Sequence, residues 1–60
     1  MKVYVNDREI YLLVGMTVKH ALIKAGLIDM VEKGKTPCDE AGHEIGLGGT
    51  LSEGEKIYLR

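Results

Sequence analysis

Apolar and polar positions alternate along MKVYV and again along REIYLLV, the period-two pattern of half-buried strands. Asn6-Asp7 separates the two runs, and both residue types tolerate the positive φ of a two-residue hairpin turn. With Val5 opposite Arg8, Val3 faces Ile10 and Met1 faces Leu12, so this register gathers one apolar face. Lys2, Tyr4, Glu9, Tyr11 and Leu13 then share the other face. The period lengthens in GMTVKHALIKAGL, where Val18, Ala21, Leu22 and Ala25 follow the i, i+3, i+4, i+7 spacing of one buried stripe. The spacing predicts a helix over 17–25, capped by Thr17 and ended by Gly26 in a left-handed conformation. Small stripe residues place that helix close against a sheet, with Lys19, His20 and Lys24 pointing away.

LIDMVEKG either resumes the helix after a break or leads irregularly into the next strand. KTPCDEAGHEIGL reads as a short strand, an Ala41-Gly42 turn and a second short strand, with Pro37 restricting its stretch to a sheet edge. GGTLSEG is a loop anchored by Leu51, and EKIYLR is a closing strand with Ile57 and Leu59 inward and Lys56, Tyr58 and Arg60 outward. A hairpin followed by a helix covers one face of a sheet, which the last strand completes most simply by lying parallel to the first. The expected fold is α+β of the β-grasp (ubiquitin-like) kind, a mixed four- or five-stranded sheet with one helix on one face, in a single domain over 1–60.

VNDREIYLLVGMTVKHALIKAGL resembles the opening of small β-grasp proteins, V-N-G-x-x-x-x-x-x-x-G-x-T-V-x-x-x-L, and LSEGEKIYL resembles their closing L-x-x-G-D-x-I/V-x-x. The nearest families by this resemblance are the sulfur carriers of thiamin and molybdopterin synthesis and the small domains appended to some tRNA synthetases and GTPases. The motifs cover both ends and the helix; the middle, 28–49, matches only loosely. They are structural punctuation, specific for fold and weak for function. Where relatives carry Pro-Glu or other polar residues, this chain has Leu13-Val14.

Composition narrows the function classes. A 60-residue chain buries about 60% of its unfolded surface, so nearly every large apolar side chain is needed for the core and a roomy catalytic cleft is not expected. Eight basic and nine acidic residues leave a formal charge of −1, interspersed rather than in blocks, with no basic patch for nucleic acid or an anionic membrane. No run reaches the roughly 18 apolar residues of a membrane span, and the N-terminal stretch turns polar too early for a signal peptide. The single cysteine, Cys38, excludes an internal disulfide, and the default location is cytoplasmic.

Sulfur carriers, as the resemblance implies, act through a free C-terminal Gly-Gly whose carboxylate is adenylated and converted to a thiocarboxylate. Here the closing strand is expected to finish at Arg60 with no reactive tail, and Gly48-Gly49 lies inside the chain. Cleavage after Gly49 would remove Leu51, Ile57 and Leu59, a loss that a domain with a stability of order 5 kcal/mol could not survive. Some β-grasp proteins are ferredoxins, but a [2Fe–2S] cluster takes four thiolates and this chain has one. Cys38, Asp39, His43 and Glu44 have zinc-ligand chemistry without the second ligand pair of a structural site, and read instead as a surface hairpin with an incidental thiol and a solvated histidine. A Cys–His nucleophile would also need an orienting group and a substrate cleft. GLGG lacks the lysine and following helix of a phosphate loop, and is expected to be an adaptable loop.

The remaining chemistry is aromatic. Tyr4, Tyr11 and Tyr58, with Leu13 nearby, fall on the sheet face that no helix covers, where clustered aromatics suit a protein interface. The expected function is a non-enzymatic interaction module, without metal or cofactor, binding a protein partner or a second copy of itself through Tyr4, Tyr11, Leu13 and Tyr58. The alternative is a thiamin- or molybdopterin-type sulfur carrier lacking its Gly-Gly tail.

Overall fold

A computed structural model describes residues 1–60. Strands β1 (Lys2–Val5) and β2 (Arg8–Tyr11) form the hairpin, followed by helices α1 (Val18–Lys24) and α2 (Ile28–Glu32) and strands β3 (Pro37–Cys38) and β4 (Lys56–Leu59). They make a small α+β fold with one mixed sheet in the order β2-β1-β4-β3. β1 pairs antiparallel with β2 in the register the alternation predicts, Val3 with Ile10 and Val5 with Arg8. β4 runs parallel to β1, and β3 pairs antiparallel with β4.

The hairpin turn has positive φ at both Asn6 (49°) and Asp7 (68°), the two-residue geometry that matches strand twist. Its side chains also reach the last strand. Asn6 Oδ1 accepts the Leu59 N–H at 3.1 Å, and Asp7 Oδ1 accepts the Tyr58 hydroxyl at 3.2 Å.

The buried stripe of α1 meets the inner sheet face. Val18, Ala21, Leu22 and Ala25 join Val3, Val5, Ile10, Leu12 and Ile57 in one core, with Leu51 and Leu59 partly buried against it. The chain turns out of α1 at Gly26, φ 74°, just past the C-cap Ala25, where the Gly26 N–H bonds the Ile23 carbonyl and the Leu27 N–H the Leu22 carbonyl. This pair of bonds closes the helix by satisfying carbonyls that lack an intrahelical donor. The same arrangement recurs at Gly34, φ 104°, with Gly34 N–H on Val31 and Lys35 N–H on Met30. LIDMVEKG is therefore a separate second helix, so the expectation of a single helix is corrected: Ile28 and Val31 pack on the core rather than extending α1.

The 37–47 segment also departs from expectation. Only β3 forms there; the anticipated second strand reduces to one bridge between Cys38 and Glu44. The turn between them is held by Asp39, whose Oδ1 accepts the N–H groups of Ala41 (3.0 Å) and His43 (2.8 Å). Cys38 is not a surface thiol: it is buried, apart from the main core, with Sγ 3.6 Å from the Thr36 carbonyl.

Candidate functional site

The outer sheet face has no helical cover, and its layout follows from the two registers. Tyr11 lies opposite Lys2, Tyr4 lies between Glu9 and Lys56, and Tyr58 is two residues further along β4 and opposite Cys38. The three tyrosines thus descend in a diagonal across β2, β1 and β4, each step about 7–8 Å. Tyr4 and Tyr58 are half-buried, whereas Tyr11, on the edge strand, is 62% exposed. Leu13 (73%) and Val14 (89%) lie beyond the end of β2 in the turn that Met16 N–H closes on the Leu13 carbonyl. The structure therefore joins Tyr4 and Tyr58 through neighbouring strands and leaves Tyr11 and Leu13 at the rim.

Charged groups interleave with the aromatics. Lys2 Nζ sits 3.0 Å from Glu9 Oε1 and 5.7 Å from the centroid of Tyr4. Glu9, and then Tyr4, raise the Lys2 ammonium above the ordinary lysine range. Partial desolvation, then the hydrogen bond to the Asp7 carboxylate, pushes the Tyr58 phenol up. At the far end Glu40 reaches Lys56 at 3.6 Å, and Gly42 lies against the Arg60 guanidinium. The Asp39–His43 turn thereby borders the face beside Tyr58, a contact that residues so far apart in sequence do not announce.

The other chemical candidates resolve separately. His43 is exposed, with Nδ1 3.6 Å from Asp39 Oδ2, and the His43 N–H holds the Asp39 carboxyl below its usual range. No group of three or more His, Cys, Asp or Glu side chains is placed to hold a metal ion, and no pocket opens on the surface. The Gly-rich loop is a plug for α1. The Gly49 carbonyl accepts the Val18 N–H at 3.1 Å and the Leu47 carbonyl accepts that of Lys19 at 2.9 Å. Two of the donors that a phosphate would need are thus already bonded. A Cβ on Gly49 would lie 3.1 Å from the Gly46 carbonyl, so this glycine serves a tight turn. His20 completes the cap: its Nδ1 accepts the Thr17 N–H at 3.0 Å, turning back on the helix rather than pointing away.

The chain matches no protein-family model, no curated protein and no solved structure. No helix is long and apolar enough to cross a membrane.

Proposed function

We propose that the chain is a non-enzymatic β-grasp module that binds a protein partner through the outer face of its sheet. The tyrosine diagonal carries this reading: Tyr4 and Tyr58 sit on adjoining strands of a face no helix covers, with Tyr11 at its rim. Tyrosine presents a large contact area at low entropic cost and keeps a hydroxyl that water satisfies, so such a face tolerates exposure and gains from burial. The strand order β2-β1-β4-β3, the parallel β1–β4 pair and the helix across the inner face support the β-grasp assignment. Lys2–Glu9 and Lys56–Glu40 make a polar surround for the aromatic contacts.

Replacing Tyr4 and Tyr58 by serine tests the reading. Binding to a captured partner should weaken by at least ~2 kcal/mol, the scale of interface hot spots. The circular dichroism spectrum should remain that of the folded chain. Partner binding indifferent to both changes would return the tyrosines to ordinary strand formers, which their propensity also explains.

A further inference from the structure

The two edges of the sheet differ. Beyond β3 the edge is closed: the Ile45 N–H bonds the Pro37 carbonyl at 2.9 Å, and the Asp39 N–H bonds the His43 carbonyl at 2.8 Å. Beyond β2 it is open. Met1 and Leu12 exchange both main-chain bonds (2.8 and 2.7 Å). By antiparallel alternation Val3–Ile10 and Val5–Arg8 do the same, leaving the main-chain groups of Glu9 and Tyr11 directed away from β1. Of these four groups only the Tyr11 carbonyl has a partner, Lys24 Nζ at 2.7 Å, and a carbonyl retains a second lone pair. β2 has neither the proline nor the bulge that commonly blunts an edge.

We propose that β2 pairs antiparallel with β2 of a second copy, joining two sheets into one of eight strands. The charge pattern selects the register. Inner and outer faces stay continuous only if outward-directed residues oppose one another, which leaves Glu9 on Glu9, Glu9 on Tyr11, or Tyr11 on Tyr11. The first sets two carboxylates directly opposite, which is destabilising. The third needs Leu13 in the ladder, but Leu13 lies past the end of β2, in the turn that the Met16 N–H closes on its carbonyl. Glu9 on Tyr11 uses all four free groups twice over the dyad, sets Ile10 against Ile10 on the inner face, and places no like charges opposite. Four main-chain bonds only modestly offset the entropy of association, so the dimer is weak and fills at high concentration. The edge pairing is independent of the tyrosine-face reading, because it uses main-chain groups.

Amide shifts of the ¹⁵N-labelled full chain, followed by dilution from about 1 mM alongside sedimentation, test it. The Glu9 and Tyr11 amides should shift with concentration as the dimer dissociates. Tyr11→Pro removes an outward N–H, two per dimer, and should weaken association by about tenfold or more. Because that variant strains the strand, a second experiment fixes the register without it. A mixture of Glu9→Cys and Tyr11→Cys chains should crosslink with a short bis-maleimide faster than either alone, with wild type and its buried Cys38 as control. A chain monomeric at about 1 mM, shifts confined to Tyr4, Lys56 and Tyr58, or equal crosslinking in mixed and unmixed samples would each overturn the proposal.

Discussion

The Tyr58 hydroxyl donates to Asp7 Oδ1 at 3.2 Å, tying the last strand to the first turn across 51 residues of sequence. Desolvation and this bond hold the phenol above its ordinary value of 10.0, so it keeps its proton when the unfolded chain has lost it. Between those two values the unfolded state binds fewer protons, and stability falls as pH rises. The contribution is complete below pH 10 and disappears as pH climbs through the raised value. Lys2, also raised, acts in the same direction above 10.5. Alkaline titration followed by circular dichroism should therefore show unfolding that Tyr58→Phe makes less steep in this window. An unchanged pH profile in Tyr58→Phe would remove the phenol from the linkage.

Asp39 works at the opposite end of the scale. The His43 N–H stabilises its carboxylate, lowering it from 3.8, so its contribution is present above that value and is lost as pH falls through the lowered one. Asp39→Asn should flatten the acid side of the stability curve below about pH 4. It should also loosen the 39–43 turn, read as faster amide exchange at Ala41 and His43, whose N–H groups bond Asp39.

Leu22 is fully buried at the centre of the α1 stripe. Leu22→Ala should cost about 2–5 kcal/mol, the range for deleting a buried leucine. In a domain this small that approaches the total stability, so urea denaturation at low temperature is the suitable measurement. A loss below about 0.5 kcal/mol, the scale of surface substitutions, would contradict the packing of α1 against the sheet.

His20→Ala removes the acceptor of the Thr17 N–H while leaving an excellent helix former in place. The expected cost is about 0.5–2 kcal/mol, as for other N-terminal caps. His20→Gln, which keeps an acceptor at the same helical position, should restore part of it. Chemical denaturation of the three proteins decides between a capping role and a merely solvated ring.

Local patterns determined a large part of this protein. The Val3–Ile10 register was legible because a one-residue slip would turn every apolar side chain outward, and Asn6-Asp7 supplied the only turn that joins the strands in that register. The bounds of α1 were legible at Thr17 and Gly26 for the same reason, since cap chemistry is short-range. The tyrosines' shared face followed from alternation once β4 was set beside β1. What only the tertiary structure decided depends on residues far apart in the chain. α2 is five residues long, too short to stand on propensity, and forms because Ile28 and Val31 find the core. Cys38 is buried because β3 is enclosed between β4 and the bridge at Glu44, a placement that the Asp39-Glu40 pair following it conceals. The glycine loop becomes a helix plug only when β4's return brings Gly49 to the start of α1. The open edge of β2 likewise exists only because β4 chose the far side of β1, leaving both main-chain groups of Glu9 and the Tyr11 N–H without a main-chain partner.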